Sequence, residues 1–248
     1  MKTIGLLGGM SWESSIEYYR LLNELVRERL GGLHSARCVM TSVDFAPLAE
    51  RMHEGRWDEI AAILADDAKS AERAGADLLI LCTNTMHKVA DAVEAAVTIP
   101  FLHIVDPTGE AIAARGFRTV GLLGTRFTME EPFYAGRLSE RFGLTVLVPE
   151  ADDRELVHRV VFEELCLGVV KASSRKGYAD VIARLAHRGA EAVILGCTEI
   201  GLLVEDEDSP VPLFDTTRLH AAAAVDLSLA PAGAAREPYA RERLGLAT

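Results

Sequence analysis

Apolar positions along the chain fall into two recurring patterns. Short uninterrupted runs near glycines, at 3–7, 119–123 and 192–195, read as strands covered on both faces, as in a parallel sheet. Between such runs, spacings of three and four predict amphipathic helices. In the first of these, Ile16, Tyr19, Leu22, Val26 and Leu30 mark one face, Ser14 with Glu17 forms a capping box, and Gly31-Gly32 stops the helix. Further strands are predicted over 37–43, 77–81 and 144–148, and helices over 58–73, over 130–142 and in two stretches up to His187. Strands alternating with helices imply parallel sheets with right-handed crossovers.

The pattern repeats. Thr3-Ile4-Gly5-Leu6-Leu7-Gly8 returns as Thr119-Val120-Gly121-Leu122-Leu123-Gly124, an offset of 116. Ala74-Gly75-Ala76-Asp77 running into Cys82-Thr83 returns as Arg188-Gly189-Ala190-Glu191 running into Cys197-Thr198, and Ile99-Pro100-Phe101-Leu102 as Val211-Pro212-Leu213-Phe214. Three blocks in the same order predict a duplicated α/β half with a cysteine at the equivalent place in each. The expected architecture is two similar Rossmann-like α/β domains with parallel sheets and an active site in the interdomain cleft. Residues 1–105 plus 215–230 would form the first domain, 106–214 the second, and 231–248 a peripheral tail.

Composition narrows the function classes. Over 248 residues, 26 Lys and Arg against 37 Asp and Glu leave a net charge of −11, which excludes a basic nucleic-acid face. No apolar run reaches the ~18 residues of a membrane span, and the N-terminal apolar run breaks too early for a signal peptide. Cys38, Cys82, Cys166 and Cys197 are too widely spaced for a metal knuckle or a dense disulfide framework. A cytoplasmic α/β protein with free thiols, no metal and neither nucleic-acid nor membrane partners is expected. The glycines at 5, 8 and 9 do not spell a dinucleotide fingerprint, and no phosphate-loop motif is present. The seven histidines show no ligand spacing, and structural or surface roles are expected for them. The acidic clusters at 66–67 and 205–208 read as solvated surface.

In open parallel sheets, ligands bind at the carboxyl ends of strands. Gly8-Gly9-Met10-Ser11, Cys82-Thr83-Asn84-Thr85, Gly124-Thr125-Arg126-Phe127-Thr128 and Gly196-Cys197-Thr198-Glu199 all fall there. Cys82 and Cys197 each end a strand ahead of a predicted helix, whose N-terminus would lower the thiol pKa. Backbone N–H groups and the side chains of Asn84, Thr85, Thr125 and Thr198 would hold a carboxylate. Cys38, mid-strand, and Cys166, mid-helix, read as inert small hydrophobes.

These residues carry a resemblance. Gly5 to Ser15 (GLLGGMSWESS), Leu81 to Asp91 (LCTNTMHKVAD), Gly121 to Met129 (GLLGTRFTM) and Leu195 to Ile200 (LGCTEI) resemble the aspartate/glutamate racemase family, over about residues 1–230. The resemblance implies a cofactor-independent amino-acid racemase acting on a small amino acid, often as a homodimer. It places Cys82 and Cys197 as the acid/base pair, and Met10, Asn84, Thr85, Thr125, Thr128 and Thr198 along the substrate pocket. It gives Lys171 to a substrate carboxylate. It also puts the side-chain selector in the loop after the second strand, where Arg51 would suit an acidic substrate and Met52 an uncharged one.

Two thiols suit the reaction because inversion needs a proton removed from one face of Cα and delivered to the other. In one direction Cys82 would be the base and Cys197 the acid, and in reverse they exchange. Related carbon-acid enzymes remain open at this point: a hydantoin racemase, a maleate isomerase, or an arylmalonate decarboxylase, the last disfavoured because it usually keeps one thiol of the pair. So does a non-catalytic carboxylate-binding protein.

Overall fold

A computed structural model describes residues 1–231; the expected tail at 231–248 lies, apart from Pro231, outside the described residues. The first half of the chain runs β1 (Ile4–Gly8), α1 (Trp12–Leu30), β2 (Cys38–Ser42), α2 (Phe45–His53), α3 (Trp57–Arg73), β3 (Leu78–Leu81), a 3₁₀ turn (Thr85–Val89), α4 (Ala90–Ala95) and β4 (Phe101–Leu102). The second runs α5 (Val105–Ala114), β5 (Thr119–Gly124), α6 (Arg126–Glu130), α7 (Pro132–Phe142), β6 (Thr145–Leu147), α8 (Ala151–Glu163), a 3₁₀ turn (Leu165–Leu167), α9 (Ala172–His187) and β7 (Ala192–Gly196). Two more 3₁₀ turns (Ile200–Leu202 and Asp206–Asp208), β8 (Leu213–Asp215) and α10 (Thr216–Leu229) complete it.

Two parallel four-stranded sheets result, ordered β2-β1-β3-β4 and β6-β5-β7-β8. The same order in both is what a duplicated half requires. Among the described residues, one compact unit holds Met1–Ile104 and His220–Pro231; the other holds Val105–Leu219. The division falls inside α10, so this helix begins in one unit and ends in the other. In the first unit Tyr18, Leu22, Ile60, Leu64, Leu79 and Ile80 are fully buried around the central strands. In the second, Leu123, Val157, Tyr178, Ile182 and Val193 form the core between β5, β7 and helices α8 and α9.

Several local expectations need correction. The capping residue of α1 is Ser11, whose side chain accepts from the Ser14 N–H, so Ser14 lies in the first turn rather than before it. The buried face carries Ser14, Ser15, Tyr18, Leu21, Leu22, Leu25 and Val26, while Ile16, Tyr19 and Leu30 are exposed. The stretch 49–53, read as a loop, is the end of helix α2, which starts at an Asp44 cap. Cys38 opens β2, and Cys166 sits in a 3₁₀ turn, not mid-helix.

The two halves also differ by one residue at the decisive place. Leu7 pairs with Leu81 in the first sheet, and Leu123 with Leu195 in the second. By ladder register, Gly196 therefore stands where Cys82 stands, and Cys197 lies one residue farther along. The extra rung is the pair Gly124–Gly196. Only glycine permits it: a Cβ at 196 would come 2.6 Å from the Leu123 carbonyl oxygen, and one at 124 would come 2.8 Å from that of Gly196.

Candidate active site

At the ends of the first sheet, β1 leads into Gly8-Gly9-Met10-Ser11. Gly9 has φ of 90°, and a Cβ there would lie 2.4 Å from the Val43 carbonyl oxygen, so the turn requires glycine. Ser15 stitches the turn to α1: its hydroxyl accepts from Gly9 N–H at 2.8 Å and donates to Ser11 O at 3.2 Å. Met10 is buried beside it in sequence.

The neighbouring strand, β3, ends at Cys82, whose backbone N–H donates to Leu7 O at 2.9 Å. The thiol is completely buried. Thr83, Asn84 and Thr85 follow, also buried. His87 holds this segment in place. The Ile104 N–H donates to its Nε2 at 3.1 Å, so Nδ1 carries the proton and donates to Thr83 O at 2.7 Å. The imidazole thereby ties the segment after Cys82 to the exit of β4, and His103 packs edge-on against it with ring centroids 4.4 Å apart.

In the second sheet, β5 ends at Gly124 and Thr125 caps the short helix α6, its hydroxyl oxygen 3.3 Å from Thr128 N and 3.2 Å from Thr128 Oγ1. Thr128 is fully buried, and its methyl packs over the Gly124–Gly196 rung. β7 leads to Cys197, Thr198 and Glu199, all buried, with Cys197 at 8% exposure against none for Cys82. The Cys197 thiol donates to Glu199 Oε2 at 2.9 Å, and the Thr198 hydroxyl donates to the same oxygen at 2.7 Å. Cys166 donates to Oε1 at 3.8 Å. Sequence reading passed over Glu199 inside the quoted LGCTEI motif. Its position two residues after a strand-end cysteine was the available signal.

The expectation of low thiol pKa values is overturned. Burial pushes the Cys82 thiol far above its ordinary value, with a smaller contribution from Cys38. Cys197 is raised as well, first by burial and then by the Glu199 carboxylate. No long helix starts at either thiol to offset this. Cys82 is followed by a 3₁₀ turn and the six-residue α4, and Cys197 by a three-residue 3₁₀ turn.

Thus the structure groups Met10, Cys82, Asn84 and Thr85 at the ends of one sheet, and Thr125, Thr128, Cys197 and Thr198 at the ends of the other. Two expected residues are held elsewhere. Arg51 donates to Glu59 at 3.1 Å and to Pro47 O at 2.7 Å on the surface of α2, while Met52 is turned inward with 2% exposure. Lys171 precedes α9, half its side chain in solvent, and pairs with Glu164 at 3.2 Å. Among the described residues no group of His, Cys, Asp and Glu is arranged to hold a metal ion, and no helix is long and apolar enough to cross a membrane.

Known proteins are similar to this chain in fold and sequence. A crystal structure from Yersinia pestis, described as a candidate Asp/Glu racemase, is 50% identical and superposes with a TM-score of 0.86 over 93% of this chain and 100% of that one. An aspartate racemase homologue from Pyrococcus horikoshii is 36% identical, with a TM-score of 0.79 over 92% of this chain and 99% of its own. A broad-specificity amino-acid racemase from Bacillus subtilis is 22% identical over 70% of this chain and 74% of that protein. The family model for Asp/Glu/hydantoin racemases matches residues 7–224, which takes in both glycine-bounded strand ends and both thiol segments, and the chain belongs to that family.

Proposed function

We propose that the protein is a cofactor-independent amino-acid racemase in which Cys82 and Cys197 are the two acid/base groups, one for each face of Cα. The observation that carries this reading is the pair of buried strand-end thiols, each following the strand that pairs with β1 or β5 in sheets of identical order. Residues 1–104 with the later part of α10 from His220, and 105–219, would each contribute one thiol. Met10, Asn84, Thr85, Thr125, Thr128 and Thr198 would line the substrate, with N–H donors near the strand ends stabilising the carboxylate as negative charge builds on Cα.

Both thiols hold their protons tightly. In apolar surroundings a thiolate is a strong base, which suits a substrate whose Cα–H is a weak acid. The abstracted proton goes to one sulfur, the C–H electron pair stays on the substrate as a carboxylate-stabilised carbanion, and the other thiol supplies a proton from the opposite side.

Aspartate and glutamate are the reference substrates, as the names of the relatives suggest. Arg51, engaged by Glu59 at the surface, leaves no basic side chain committed to a second carboxylate, which supports a wider range that includes uncharged side chains. The same reading includes a cytoplasmic location and a homodimer, the latter checked by light scattering. The test is a panel of L-amino acids scored for the D-enantiomer without pyridoxal phosphate, run with wild type, Cys82→Ser and Cys197→Ser. Racemisation by wild type and its loss in both variants is expected. Near-normal turnover by either variant overturns the two-thiol mechanism.

A further inference from the structure

The backbone on either side of Cys82 is anchored differently. Before the thiol, the Cys82 N–H donates to Leu7 O at 2.9 Å, a bond to the neighbouring strand. After it, the Thr83 carbonyl accepts from Nδ1 of His87 at 2.7 Å, and Nε2 of the same ring accepts from the Ile104 N–H at 3.1 Å. A neutral imidazole carries a donor on one side and an acceptor on the other in one rigid plane, and both are used here. The ring is 3% exposed, so neither backbone group has bulk water as a ready substitute.

The far end of this bridge is itself fixed. Leu102 O accepts from Nε2 of His220 at 2.8 Å, and Nδ1 of His220 accepts from the Tyr18 hydroxyl at 2.8 Å. The exit of β4 is therefore held by one imidazole at Leu102 and by another at Ile104, with ring centroids 6.0 Å apart. Through these two rings the position of Thr83 is referred to α1 and α10, not only to its own turn.

The duplicated half has no such ring. Five residues after Cys197 stands Leu202, and by ladder register Gly201 takes the place of His87; neither offers a side-chain hydrogen bond. The corresponding tie there is Thr216 Oγ1 to Leu195 O at 2.9 Å, which lands on the strand ahead of the thiol.

We propose that His87 is a positioning residue that acts through Cys82. The inference rests on the racemase reading, in which Cys82 serves one face of Cα. His87 holds the peptide between Thr83 and Asn84, so it fixes the thiol on one side and the Asn84 amide on the other. Without that bond the peptide is free to turn, and several tenths of an ångström at the sulfur cost roughly 5–10-fold in proton transfer. The loss falls on one enantiomer, because Cys197 ends a strand of the other sheet.

The test is Cα-deuterium exchange with one thiol at a time: in Cys197→Ser only Cys82 exchanges, and in Cys82→Ser only Cys197. His87→Asn can place an amide N–H where Nδ1 stands and keep the Thr83 bond, whereas His87→Gln reaches the Ile104 N–H and loses it. Added to Cys197→Ser, His87→Gln should slow exchange about tenfold, and His87→Asn should recover about threefold or more of that loss. Added to Cys82→Ser, His87→Gln should stay within about threefold. A ring with only a packing role would slow both backgrounds alike, or would make the two substitutions equivalent, and either result overturns the proposal. If the variants do not fold, ring-nitrogen NMR shifts of wild type decide: His87 should be the Nδ1–H tautomer, and the Nε2–H form, which cannot donate to Thr83 O, overturns it.

Alkylation by iodoacetamide with no amino acid present, read by peptide mass spectrometry, separates this inference from the racemase reading. His87→Gln should change the Cys82 rate about fivefold or more and leave that of Cys197 within about threefold. That contrast in a protein that exchanges no amino acid would refute the racemase reading and leave the anchor standing. Exchange by wild type without the contrast would do the reverse.

Discussion

Gly196→Ala is a small perturbation with a large expected effect. The added Cβ would sit 2.6 Å from the Leu123 carbonyl oxygen and 2.8 Å from Leu122 Cδ1, against ordinary contacts of 3.4 Å and above. The Leu122 methyl can turn aside, but the Leu123 oxygen belongs to the backbone of β5 and cannot. Relief therefore requires the end of β7 to move away by several tenths of an ångström. Overpacking of this kind costs about 1–3 kcal/mol, and a weakened ladder hydrogen bond adds about 1. A total of about 2–4 kcal/mol lowers the melting temperature by roughly 5–15 °C in a protein of this size. Cys197 is the next residue, so its sulfur moves with the strand; with about 100-fold lost per 1 Å of misplacement, several tenths of an ångström should cost roughly 5–10-fold in turnover. Gly136→Ala is the matched control. It lies in α7 with open space where the methyl would go, and alanine there should stabilise by about 0.5–1 kcal/mol. Thermal and urea unfolding with a racemisation assay on both variants checks the pair. A Gly196→Ala protein as stable and active as wild type would refute the close-approach argument.

Cys82→Ser and Cys197→Ser should each retain Cα-deuterium exchange for one enantiomer, and for opposite ones, while Cys38→Ser exchanges both; NMR on both enantiomers reads this directly. Met52→Ala should cost about 2–5 kcal/mol in urea unfolding because it empties a buried site, whereas Arg51→Ala, which breaks a surface pair, should cost under about 1 kcal/mol. Stability should fall in alkali: both site thiols have folded pKa values raised above 9.0, so their contribution is complete below that pH and is lost as pH rises through the folded values. Urea midpoints at pH 7 and pH 10 should therefore drop less in Cys82→Ala than in wild type.

The repeated strand motifs made the two-sheet architecture and its glycine-bounded ends legible, because a buried parallel strand has little choice but an apolar run. The face of α1 was not legible. Trp12, Ile16 and Tyr19 are as apolar as the residues that face the core, while Ser14, read as a cap, and Ser15, which holds the Gly9 turn, are buried. Helix α2 was hidden by Pro47 and by its short apolar face, of which only Leu48 and Met52 are buried. The thiols stood out as residue types at strand ends, but their proton affinity depends on burial and on Glu199, and neither is visible in local spacing. The same limit applies to the one-residue shift of Cys197. Motif alignment matches cysteine to cysteine, and only the Gly124–Gly196 rung reveals that the backbones are out of step.

The path of α10 bears on how the protein is made. Its first turn belongs with the second sheet, where Thr216 donates to Leu195 O at 2.9 Å. Its later residues complete the first unit. There His220 accepts from Tyr18 at Nδ1 and donates to Leu102 O from Nε2, both at 2.8 Å, and Ala221, Ala224 and Val225 are fully buried. Lys2 N–H reaches Ser228 O at 2.8 Å. Domains usually fold on the ribosome in the order in which they emerge. Here the first unit has all four strands of its sheet early but stays unfinished until α10 has been synthesised, so the half that leaves the ribosome first is the half that must wait.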